Sequence, residues 1–110
     1  LADADRAQQR GDLEVATANL ERAQRLAPQS ALVYQRLAEL RLQQKRPAEA
    51  EQMARKALAY ATTNTQQATL WRQIAEARRQ QGNLSSAQEA LSRAGELDAA
   101  AASAAAENVP

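Results

Sequence analysis

The chain has no Cys, no His and no Phe, and only one Trp, two Tyr, three Gly and three Pro among 110 residues. Each gap closes a route. Without Cys there are no disulfides, no thiolate nucleophile and no zinc knuckle. Without His the commonest general base and metal ligand is missing. Ser30, Ser85, Ser86, Ser92 and Ser103 fall at caps or exposed helical positions with no Lys partner, and Glu49 with Glu51, or Asp12 with Glu14, are helix-start residues rather than a cleft pair. Three glycines, two of them at helix ends, make no phosphate-cradling loop. No enzyme is expected, and no cofactor or metal. Net charge is +1 with both signs interspersed, so no polyanion-seeking field exists and nucleic acid is not an expected partner. No apolar run reaches the roughly eighteen residues of a membrane span.

What the chain does have is alanine, about a quarter of all residues. Small residues at buried positions let helices approach closely, and the β-branched and aromatic residues that a sheet wants are scarce. The fold class expected is all-α, in one domain with a single modest core. Alanine is also periodic. Residues 8–20 read QQRGDLEVATANL, residues 42–54 LQQKRPAEAEQMA and residues 79–91 RQQGNLSSAQEAL. In that frame Ala16, Ala50 and Ala87 align, spaced by 34 and then 37, as do Ala23, Ala57 and Ala94, and Ala4, Ala38 and Ala75. Nine alanines in nine places would arise by chance roughly a few times in a million.

Each unit reads as two helices. Gly11-Asp12 and Gly82-Asn83 place a residue tolerant of left-handed backbone where one helix stops and an N-cap where the next begins. Arg46-Pro47 marks the same turn with Pro at the first helical position, followed by Glu49 and Glu51 near the positive end of the helix dipole. Helices are predicted at about 2–10, 13–27, 31–44, 48–61, 66–81 and 84–97. The three extra residues fall in 61–67, where Thr and Asn are natural N-caps, so the insertion lengthens the start of the helix near 66. The Ala-rich tail from Asp98 has no large apolar face and reads as a short helical extension that frays by Glu107.

A period near 34 built from two amphipathic helices resembles the tetratricopeptide repeat. The third unit carries the pattern best, with Trp71, Ile74 and Ala75, then Gly82, Asn83, Leu84 and Ala87, then Leu91, Ala94 and Leu97. The second has Tyr34, Leu37, Ala38, Ala50, Ala54 and Ala57; the first keeps Ala4, Ala7, Gly11, Ala16, Leu20, Ala23, Leu26 and Pro28. Two family positions depart: Ala stands for the mid-helix Gly, and Ala7, Arg41 and Arg78 stand for a Tyr. Those arginines are expected to lay their stems on the core with wet heads. The resemblance implies three tandem repeats at about 1–30, 31–67 and 68–101 in a short right-handed superhelix, with 102–110 as a tail.

It further implies a protein-binding concave face made by the first helix of each pair. That face falls at Asp5, Gln8 and Gln9; at Leu32, Gln35, Arg36, Glu39, Leu42 and Gln43; and at Thr69, Arg72, Gln73, Glu76, Arg79 and Gln80. Amide and guanidinium side chains there suit a peptide backbone or a carboxylate. The clamp by which some family members hold acidic chaperone C-termini would fall at Leu1, Asp5, Arg36, Thr69 and Gln73, and its Lys and Asn residues are absent, so a heat-shock chaperone peptide is not expected. Richness in Ala, Gln and Arg, absence of Cys and a start without Met resemble small bacterial envelope domains, among them LpoP-type lipoproteins. That likeness implies a penicillin-binding protein as partner, a role in peptidoglycan synthesis and a periplasmic location, anchored to the outer membrane through a preceding segment. The rival expectation is a self-associating scaffold that uses its exposed end helices.

Overall fold

The computed structural model describes residues 3, 4, 6 and 11–107. Among them are five helices and no strand: α1 Leu13–Leu26, α2 Ala31–Gln43, α3 Pro47–Tyr60, α4 Asn64–Gln80 and α5 Leu84–Glu107. Most of the helix expected at 2–10 lies outside the described residues; Asp3, Ala4 and Arg6 are helical, and Ala4 is buried. Short turns make α2 with α3, and α4 with α5, antiparallel pairs, while α4 also packs on α2 and α3, and α1 on α2. The fold is therefore a stack of helix pairs, as the repeat implies.

The turns within pairs share one geometry. Gly11, Lys45 and Gly82 have φ of 76°, 59° and 79°, and they stand at equivalent repeat positions, 34 and 37 residues apart. After α2, the Lys45 amide donates to Leu42 O and the Arg46 amide to Arg41 O; after α4, Gly82 donates to Arg79 O and Asn83 to Arg78 O. This crossed pair satisfies the last carbonyls of each helix, and it needs a left-handed residue. Glycine takes that conformation without cost, whereas Lys45 pays for its Cβ. The caps follow the sequence reading: Asp12, Ser30, Thr63 and Asn83 each accept a hydrogen bond from the amide three residues on. Arg46 makes no side-chain cap, and Pro47 opens α3 in its place.

Alanine forms the contact points between helices. Ala16, Ala38, Ala54, Ala57, Ala68 and Ala77 are fully buried, and the large buried side chains are few: Leu20, Leu37, Leu40, Leu70 and Ile74. One cluster joins Leu20, Tyr34, Leu37, Leu40, Ala57 and Leu70; the next joins Ala38, Ala54, Ile74, Ala75 and Ala90. Met53 and Leu58 pack on both, so the core is continuous along the stack. Burying each Leu or Ile contributes about 1.5–3 kcal/mol. Tyr34 ties the first pair to the second by donating its hydroxyl to Pro28 O at 2.8 Å and stacking on Tyr60 at 6.1 Å.

One detail departs from the sequence reading, and two others bear it out and sharpen it. First, Arg41 and Arg78 do not keep their heads in water. Arg41 binds Glu49 at 3.3 Å and Gln44 at 2.9 Å; Arg78 binds Glu51 at 3.3 Å and the Ser86 carbonyl. Their side chains are only 17 % and 16 % exposed because acids of α3 lie within reach. Second, α4 starts at Asn64, four residues before the position equivalent to the start of α2, since Thr63 caps it and Gln66 reaches back to the Thr62 amide. The insertion has become about one added turn. Third, α5 is continuous to Glu107, well past the Leu97 end, because alanine sustains helix without packing.

Two substitutions test this account by urea denaturation. Lys45→Gly relieves the left-handed Cβ and raises stability by about 1 kcal/mol. Ala38→Leu, at the crossing of α2 with α4, overpacks it and lowers stability by about 1–3 kcal/mol.

Candidate functional site

The first helices of the second and third pairs, α2 and α4, run side by side and present the face expected to bind. Gln35, Arg36 and Glu39 are half-buried there, and Gln43 is exposed. On α4, Gln73, Glu76 and Gln80 are half-buried and Arg72 and Arg79 are exposed. Asp5, Gln8 and Gln9 lie outside the described residues.

Two of these side chains prove to be ties between helices. Gln73 Nε2 donates to Gln35 O at 3.1 Å and Gln80 Nε2 to Leu42 O at 3.3 Å. Donors seven residues apart on α4 thus meet carbonyls seven apart on α2, which fixes the axial register of the two helices. The Oε1 atom of each is buried with no donor in reach. The sequence placed both glutamines on the correct helix face, but their amide nitrogens are engaged by the neighbouring backbone.

The charged members form local pairs. Arg36 meets Glu39 at 3.4 Å; Arg79 grips Glu76 through Nε at 2.7 Å and Nη2 at 2.5 Å; Arg72 reaches Asp98 of α5 at 2.8 Å and Thr69 at 3.3 Å. The Arg79 hydrogen bond is the main reason that the Glu76 carboxyl sits below the usual range, and Glu76 in turn raises Arg79. The face is a row of alternating sign whose charged side chains are paired with neighbours. It offers guanidinium donors to a carboxylate or carbonyl, and carboxylate acceptors to an amide, within one strip.

A second feature adjoins it. A cleft of about 300 Å³ opens between α4 and α5, lined by Arg72, Ala75, Glu76, Arg79, Leu84, Ala87, Gln88 and Leu91. Three of these residues were expected at the site. Leu84, Ala87 and Leu91 read from the sequence as parts of the fold, yet Leu84 is 64 % and Leu91 47 % exposed. The available signal was position: the third pair is the last in the described chain, so no further helix covers the surface that α4 covers on the second pair. Among the described residues no group of acidic side chains could hold a metal ion, and no helix is long and apolar enough to cross a membrane.

Paired helices of this length, Ala at the crossings and a left-handed residue in each internal turn define a tetratricopeptide repeat protein. The tetratricopeptide repeat family model matches residues 7–74, more than half the chain, and the chain belongs to that family. It is similar to the globular C-terminal domain of P. aeruginosa LpoP, with 47 % identity and a TM-score of 0.81 over 84 % of this chain and 88 % of that one. No curated protein matches it.

The tie that holds α4 on α3 has a pH signature. Partial burial pushes the Glu51 carboxyl up, but hydrogen bonds from Arg78 and Arg55 outweigh it and leave the group below its ordinary value. A carboxyl depressed in the folded state stabilises the fold above its unfolded pKa of about 4.3, and that contribution is lost as pH falls through the folded value. Glu51→Gln is accordingly expected to cost about 1–2 kcal/mol at pH 7. The gap to the native chain should close below about pH 4, as read by urea denaturation across pH.

Proposed function

We propose that the chain is a non-catalytic protein-binding domain of an LpoP-type envelope lipoprotein, and that its partner is a bifunctional penicillin-binding protein whose peptidoglycan synthesis it stimulates. The observation that carries this reading is the 47 % identity to the LpoP C-terminal domain over nearly the whole of both chains, joined to a family fold that serves protein and peptide binding. The location follows from the same likeness: the periplasm, tethered to the outer membrane by a segment that precedes this one. The repeats occupy about 1–101, with the Ala-rich remainder as an extension.

The contact surface is the α2–α4 face. Gln73 and Gln80 keep the two helices in register, so the groups left to meet a partner are Gln35, Arg36, Glu39, Gln43, Arg72, Glu76 and Arg79. Pairing within the row restricts the side chains before a partner arrives, which lowers the ordering cost of binding. Row and partner then exchange neighbours, with an incoming carboxylate or carbonyl taking guanidinium donors from Arg72 and Arg79.

Titration of the domain with the purified penicillin-binding protein tests both halves of the reading. Arg72→Ala and Arg79→Ala together should weaken binding roughly ten-fold or more, the worth of one or two charge-assisted hydrogen bonds. Thermal stability should move little, because both side chains are about half exposed. Unchanged affinity in the double variant would move the contact off this face; absence of binding by the native domain would remove the partner assignment.

A further inference from the structure

One repeat before the cleft, the matching surface is filled. There α4 covers α2 and α3: Ile74 and Ala75 lie with Ala38 and Ala54, Gln73 and Gln80 hold carbonyls of α2, and Arg78 binds Glu51. Advancing by the repeat spacing of 37 residues carries Ala38 to Ala75, Glu51 to Gln88, Ala54 to Leu91 and Leu58 to Gly95. The open surface is therefore not a copy of the filled one. A large side chain replaces a small one at 91, a small one replaces a large one at 95, and the acid is gone. A helix shaped like α4 would strike Leu91 where it now meets Ala54.

Another helix fits better. Leu84, Gln88, Leu91, Gly95, Asp98 and Ala102 follow at alternating steps of four and three along α5 and are all exposed, so they form one stripe of coiled-coil spacing. Gly95 lies in the middle of a 24-residue helix, where only proline is a worse helix former. Apart from its chain neighbours and the helix's own backbone, no atom lies within 4 Å of the place its Cβ would take, so no packing contact among the described residues accounts for a glycine there. The stripe continues into residues 102–107, which are helical and exposed throughout.

We propose that this stripe is a homodimer interface, in which α5 of a second copy lies antiparallel against α5 about a two-fold axis. The register that seats Leu91 over Gly95 also seats Leu84 on Ala102 and Gln88 beside Asp98, because the three pairs share a midpoint at residue 93. Every apolar layer then sets large against small. Asp98 accepts from Arg72 at Oδ2 and has Oδ1 to accept from the Gln88 amide. A two-fold axis repeats each contact, as a self-complementary patch requires. The Ala-rich extension, with no large side chain of its own, is what Leu84 of the partner copy packs on. The stripe borders the α2–α4 face, sharing the cleft with Arg72, Glu76 and Arg79, so dimer formation is read on the domain alone, with no penicillin-binding protein present.

Sedimentation equilibrium of the native domain up to about 500 µM should show a monomer–dimer exchange, with a dissociation constant in the micromolar range expected of a small interface. Gly95→Leu fills the hole: it should weaken the dimer at least ten-fold while raising the melting temperature, since the monomer has room for the side chain and gains helix propensity. Leu91→Glu should likewise leave a folded monomer. An equimolar mixture of Leu84→Cys and Ala102→Cys chains, in a protein with no other thiol, should oxidise chiefly to the mixed pair. A native chain monomeric throughout that range, or a Gly95→Leu chain that dimerises as tightly as the native one, overturns the interface; preferential self-pairing of Leu84→Cys overturns the register, and with it the proposal.

Discussion

Helices in this chain meet through alanine, and the rest of the structure depends on that close approach. Ala38, Ala54, Ala75 and Ala90 come together where α2, α3, α4 and α5 cross, around the single large side chain of Ile74. With methyl groups at the crossings, backbones come near enough for side chains of one helix to reach main-chain groups of the next. Gln73 and Gln80 can hold the carbonyls of α2 only because α4 lies that close. Arg78 likewise reaches both Glu51 and the Ser86 carbonyl. A core with few large residues gains less from burial, and these polar ties supply axial register that small side chains alone do not specify.

The sequence made the fold legible because the repeat is written in the residues that enforce it. Ala at nine aligned positions, Gly11 and Gly82 in the turns, and Asp12, Ser30 and Asn83 at the caps each have one structural use, so their spacing could be turned directly into helices. Lys45 was not legible: it takes the left-handed place of glycine by necessity of position, and lysine carries no preference that announces it. Arg41 and Arg78 were misread for a different reason. Their partners Glu49 and Glu51 lie on α3, and the sequence shows those acids only as helix-start residues. The glutamines of the groove show the same limit, since a helical face can be read from spacing while the distance to a neighbouring backbone cannot.

The placement of the candidate strip was legible to the same depth. Periodicity placed Arg36, Glu39, Arg72, Glu76 and Arg79 on one strip, and the structure brings them there. It also pairs them, Arg36 with Glu39 and Arg79 with Glu76, each three residues apart on one helix, and it takes Arg72 sideways to Asp98. What no pattern on α5 announced was the exposure of Leu84 and Leu91. Both satisfy the repeat, and in the second pair the equivalent of Leu91 is Ala54, which is buried against α4. Exposure there is a property of the last pair among the described residues, and residue type alone does not carry it.

The balance of charge on the α2–α4 strip bears on how it can discriminate. A face of one sign would draw opposite charge from a distance and bind many such ligands. Here donors and acceptors alternate within one Debye length of about 8–10 Å, so the field cancels beyond it and steering is weak. With this strip as the contact surface proposed above, discrimination would come at contact, from a partner whose own acceptors and donors match the order along α2 and α4. Because Gln73 and Gln80 fix the offset between those helices, that order is rigid, and a ligand displaced along the groove meets like charges. The alanine crossings that let the helices approach therefore also set the spacing of donors and acceptors along the strip.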